Sequence, residues 1–64
     1  GQSARAVQAQ IRKMIEFETP SKPISDGIIS KMLADKGVSI ARRTVAKYRE
    51  QMNIPPADQR ESVL

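Results

Sequence analysis

Three stretches of this chain carry apolar residues at helical spacing, and Thr19-Pro20-Ser21-Lys22-Pro23, Gly37 and Asn53-Ile54-Pro55-Pro56 cut them apart, which leaves little choice of architecture. In the first, Ser3 to Glu18, the residues Ala4, Val7, Ile11, Met14 and Ile15 share one face, with Ser3 placed to cap the first turn. Pro20 disfavours helical geometry at Thr19 and stops it. The second segment opens on Ser25 as N-cap, with Asp26 at the positive end of the helix dipole. Ile24 and Ile29 stand at the two positions of a hydrophobic staple. Ile28, Ile29, Met32 and Leu33 form its expected buried stripe, and Gly37 ends it as a left-handed C′ residue. Val38, Ser39 and Ile40 make a turn, and a third helix runs from about Ile40 to Met52. The expected fold is all-α, a three-helix bundle containing a helix-turn-helix over residues 1–56. Residues 57–64 have no periodicity and read as a flexible C-terminal tail. The expected core is Ile11, Ile15, Ile29, Leu33, Val45 and Tyr48.

Little else could stabilise such a chain. Sixty-four residues bury only about 60% of the unfolded surface, and there is no cysteine to cross-link it. Histidine is absent too, which removes the usual zinc ligand and the commonest general base. Glu16, Glu18, Asp26, Asp35, Glu50, Asp58 and Glu61 form no recognisable acid/base pair or metal cluster, so neither an enzyme, a metal site nor a cofactor is expected. Met14, Met32 and Met52 sit at core spacing. No apolar run approaches the roughly 20 residues that span a bilayer and no signal-peptide pattern opens the chain, so a cytoplasmic location without membrane contact is expected. The net charge of +4 suits a polyanionic partner. One Phe, one Tyr and no Trp argue against a base-stacking platform for RNA or single strands and favour double-stranded DNA.

The third helix carries the functional signal. With Val45 at the centre of its buried face and about 100° per residue, Ala41, Tyr48 and Met52 fall within about 60° of the core direction. Arg43, Lys47 and Glu50 point outward, Ala46 lies at the side of that face, and Arg42 and Thr44 flank it. A small residue beside long hydrogen-bonding side chains lets a helix approach the floor of a groove. Arg42 and Arg43 also occupy the first turn, where the helix dipole prefers anions, and Glu50 sits near the other end, where it prefers cations. A pattern that opposes local helix stability points to an external partner. Arginines early in a recognition helix meet base edges or phosphates. Arg49, about 40° from the core centre, packs its stem on the bundle and sends its head to solvent, a carboxylate or a phosphate. Tyr48 reads as a core residue with a wet hydroxyl in preference to a base contact.

Ala41 to Glu50 reads ARRTVAKYRE, which resembles at every position the ten-residue RpoN box of the sigma-54 (sigma-N) family of bacterial transcription initiation factors. Pro23-Ile24-Ser25-Asp26, Gly37-Val38-Ser39-Ile40 and Ile54-Pro55-Pro56 resemble that family's C-terminal domain as well, so the likeness covers most of Ile11 to Arg60. The resemblance implies recognition of the promoter element about 24 base pairs upstream of the start site, centred on a GG doublet. It also implies that this chain is the promoter-anchoring piece of a larger factor whose other parts bind core RNA polymerase. By that likeness Arg42, Arg43, Lys47, Tyr48 and Arg49 lie at or near DNA; Ser39, Ala46 and Glu50 complete the expected contact set.

Two other classes fit the bare pattern. A helix-turn-helix of a repressor or recombinase would dimerise on a palindrome, but no extra apolar stripe offers a dimer face, so a monomer is expected. A basic protein-interaction module would dock an acidic partner and lack steep salt dependence on duplex DNA.

Overall fold

Both serines cap as their positions predict. In the computed structural model, which describes residues 3–60, the Ser3 hydroxyl accepts from the Ala6 amide (3.2 Å) at the start of α1, Ala4–Glu16. Ser25 accepts from the Ile28 amide (3.2 Å) at the start of α2, Asp26–Asp35. The third helix, α3, spans Arg42–Gln51, with Ala41 and Met52 as its caps. It is shorter at both ends than the expected Ile40 to Met52, and α1 stops at Glu16, two residues before the expected end. No helix of the described residues is long and apolar enough to cross a membrane.

The turn between α2 and α3 follows from Gly37. At φ +84° it adopts the left-handed conformation, its amide bonds to the Ala34 carbonyl (2.9 Å), and the Val38 amide bonds to the Leu33 carbonyl (2.9 Å). That double closure turns Val38 inward, where it is buried next to the α2 core residues. The same device ends α3 without a glycine. Asn53 takes φ +60°, its amide bonds to the Glu50 carbonyl and the Ile54 amide to the Arg49 carbonyl (3.1 Å). The Ser30 hydroxyl donates to the Ile40 carbonyl and ties the turn back onto α2.

α3 packs against both α1 and α2. Val7 and Ile11 of α1, Ile29 and Leu33 of α2, Val38 of the turn and Val45 of α3 form the buried core, each aliphatic side chain contributing about 1.5–3 kcal/mol on full burial. Ile15 and Tyr48, expected inside, pack half-buried at its margin beside Met14, Ile24, Ile40 and Met52. Ala4 and Ala41, also expected on the core stripe, are exposed. Ile28 and Met32 depart most from expectation, at 47% and 37% exposure. They sit about 100° round the helix from Ile29 and Leu33, and α2 buries only the narrower stripe.

Residues 57–60 correct the expected tail, of which residues 61–64 lie outside the described residues. Ala57–Arg60 form a single helical turn, α4. Arg60 holds it down: Nε and Nη2 donate to the two Glu18 carboxylate oxygens (2.9 and 3.0 Å), while Nη2 and Nη1 reach the Ile24 and Pro55 carbonyls. Both side chains of this pair are only 8% exposed. The Arg60 hydrogen bond is the main reason the Glu18 carboxyl sits below its ordinary range; the Ile24 amide, donating to it at 3.0 Å, adds to the effect while burial opposes it. One turn of four residues is too short to show a period, and its anchor lies 42 residues away in sequence.

Candidate nucleic-acid interface

α3 is held from below by its apolar side and by one arginine. Val45 is fully buried, and Arg49 joins it at 5% exposure. Arg49 Nε and Nη2 donate to the two oxygens of Asp26 (2.9 and 3.2 Å), and Nη1 donates to the Ile54 carbonyl (2.8 Å). All three nitrogens of the guanidinium are thereby engaged inside the protein, joining α3 to the first residue of α2 and to its own C-terminal turn. Arg49 is therefore no surface cation: of the destinations expected for its head it takes a carboxylate, and it braces the helix-turn-helix from within. Its wheel position, near the core direction, was the only sign of this in the sequence.

The opposite side of α3 is free. Arg42, Arg43, Lys47 and Glu50 are exposed, with Ala46 and Thr44 half-buried beside them. The ion pairs of the described residues are Arg49–Asp26 and Arg60–Glu18, so Arg42, Arg43 and Lys47 carry their charge to solvent without an ion-pair partner among the described residues. The Arg42 stem runs beside Gly27, its Cδ 3.6 Å from where a β-carbon there would stand. Arg42, Arg43 and Ala46 border an open cleft whose other wall includes Ser25 and Asp58. Ser39 is exposed in the turn just before α3, and Tyr48 lies half-buried against the core. Arg43, Lys47 and Glu50 thus occupy the outward face together, while Ser39 and Arg42 lie at its edges.

The N-terminus of α3 lacks the side-chain cap that the other two long helices have: Ala41 offers none, and, as in α1, the first turn has no acidic residue. Two arginines stand where the dipole and the uncapped amides favour negative charge. The arrangement suits a partner that brings anions to that end and hydrogen-bond acceptors along the outward face. No group of three or more metal-ligating side chains gathers among the described residues.

The family described as "Sigma-54, DNA binding domain" matches residues 1–62 of the chain. The chain is 45% identical over 62 residues to the RNA polymerase sigma-54 factor of Escherichia coli (strain K12), covering 97% of this chain and 13% of that protein. It is 55% identical over 58 residues to the RNA polymerase sigma-54 factor of Acidithiobacillus ferridurans, covering 91% and 12%. With the RNA polymerase sigma-54 factor of Shewanella violacea the identity is 49% over 61 residues, covering 95% and 12%. The chain therefore spans about an eighth of the length of these relatives.

Proposed function

The chain belongs to the sigma-54 family, matching its DNA-binding domain, and from that premise we propose that it recognises the GG-containing promoter element about 24 base pairs upstream of the start site of sigma-54-dependent transcription. In this reading α3 enters the major groove of double-stranded DNA. Arg43 and Lys47 meet base edges, Ala46 lets the helix approach, and Arg42 and Ser39 meet phosphates. The chain acts as a monomeric binding module without catalytic chemistry, and core RNA polymerase is engaged by other parts of a longer factor.

One observation carries the reading: the ARRTVAKYRE box lies almost entirely on α3, with Arg42, Arg43 and Lys47 exposed and in no ion pair with a described residue, while Arg49 is drawn inside. A helix packed only for stability would not gather three such cations on its free side and two of them at the wrong end of its dipole. An α-helix with side chains is about 10–12 Å across, which fits a major groove about 12 Å wide.

The test is a titration of the chain against duplexes with and without the GG doublet, at several salt concentrations. Preference for the GG duplex with a steep salt slope is expected. Arg42→Ala should weaken binding to both duplexes alike and reduce the slope by about 1. Binding that is indifferent to the doublet would remove promoter recognition and leave a non-specific basic module.

A further inference from the structure

The cations of α3 do not end at its edge. Lys47 and Gln51 stand one helical turn apart, and Gln51 Oε1 accepts a hydrogen bond from Gln8 Nε2 of α1 (2.6 Å). On α1, Arg12 follows Gln8 by four residues and Arg5 precedes it by three, so both lie beside it on the solvent side. Arg43, Lys47, Gln51, Gln8, Arg12 and Arg5 therefore form one continuous band across two helices. Arg5 and Arg12 are exposed, make no ion pair with a described residue, and flank an open cleft with Gln8 and Met52. Glu16, four residues after Arg12, is the acidic residue lining that cleft.

We propose that Arg5 and Arg12 of α1 are a phosphate clamp on the DNA strand opposite the one met by Arg42, so that the duplex is gripped on both rims of the groove that α3 reads. The inference rests on the major-groove reading of α3. Packed helices lie about 8–10 Å apart, axis to axis, and the major groove is about 12 Å wide. With α3 centred in the groove, a helix packed at its side stands over one rim, and its outward cations face the phosphates there. On α3, Arg42 and Ala46 lean toward the α2 side, beside Gly27, while Gln51 leans toward α1. The two rims thus fall to different elements. Arg5 and Arg12 are two turns apart, about 10 Å, which lets them engage separate phosphates of the same strand. Guanidinium forks suit phosphate oxygens, and neither side chain pairs with a described residue.

The test compares the native chain, Arg5→Ala/Arg12→Ala, and a control with equal charge loss, Lys31→Ala/Lys36→Ala, whose exposed lysines lie on α2 and at its C-cap, off the band. Each is titrated against the GG duplex and a duplex lacking the doublet across a salt series, with thermal midpoints measured in parallel. Each phosphate contact releases about 0.9 counterion, so the arginine pair should lower the salt slope by about 2 and weaken binding about tenfold per arginine near 0.1 M salt, equally on both duplexes. The midpoint should not move, and the lysine control should change the slope much less. Unchanged affinity and slope in the arginine variant would overturn the clamp, as would an equal loss in the lysine control. A loss confined to the GG duplex would also overturn it, because phosphates carry no sequence. Native protein that binds both duplexes equally would defeat promoter recognition while leaving the clamp standing; native protein that binds neither would defeat both.

Discussion

α2 and α3 have the same length and meet across the same turn, yet their ends are built differently. α2 follows local preference at its start and its closing turn: Ser25 caps it, Asp26 occupies the first turn, and Gly37 closes it at positive φ. In α3 the cap is Ala41, the first turn is Arg42-Arg43, and the left-handed closing residue is Asn53. α3 is held by tertiary contacts instead, with Val45 buried beneath it and Arg49 tied to Asp26 and Ile54. Local propensity was given up on the element that carries the free cations, and the neighbouring element compensates. Such inconsistency between levels concentrates at functional surfaces, and here it separates the helix with the exposed cations from its support.

The comparison breaks first at Arg49. Removing one partner of a buried ion pair costs about 3–5 kcal/mol, much of the roughly 3–10 kcal/mol that a domain of this size possesses. Arg49→Ala should therefore unfold the chain or nearly so in a thermal melt, whereas Arg43→Ala should stay within about 0.5 kcal/mol of the native stability. Similar midpoints for the two would show that the buried and exposed arginines do not differ as described.

The second buried arginine brace, Glu18–Arg60, has a pH signature. The folded Glu18 carboxyl lies below its ordinary value of 4.5, so its contribution is fully present above that pH and is lost as pH falls through the lowered folded value. Stability should decline below about pH 4.5, and Glu18→Gln should be less stable at neutral pH with a flatter profile across that window. Parallel profiles for the two proteins would contradict the assignment. A smaller effect sharpens the contrast between the helices. Ala41→Ser gives α3 the cap that α2 already has and should stabilise by about 1 kcal/mol, or about 4–8 °C in midpoint. No gain would mean that the amides of the first turn are already satisfied.

Much of this was legible in the sequence because it is local. The serine caps, the Gly37 closure and the outward placement of Arg43, Lys47 and Glu50 each follow from spacing within one or two turns. What escaped is non-local. Arg49 finds Asp26 across 23 residues and Arg60 finds Glu18 across 42, and no period in the chain encodes either meeting. The exposure of Ile28 and Met32 escaped for a related reason, since periodicity gives the direction of an apolar face but not how much of its width a neighbour covers.

Whether the exposed cations of α3 read sequence is decided most directly at Arg43. It is exposed, lies in the first turn and has the planar fork that matches guanine O6 and N7. Native and Arg43→Ala proteins are each titrated against a GG duplex and a duplex with the doublet replaced, at one fixed salt concentration. The account predicts a loss of about 1–3 kcal/mol on the GG duplex and a much smaller one on the other, because there the bidentate contact was never made. Equal losses on both duplexes would contradict it, reducing Arg43 to a phosphate contact and leaving Lys47 as the candidate reader.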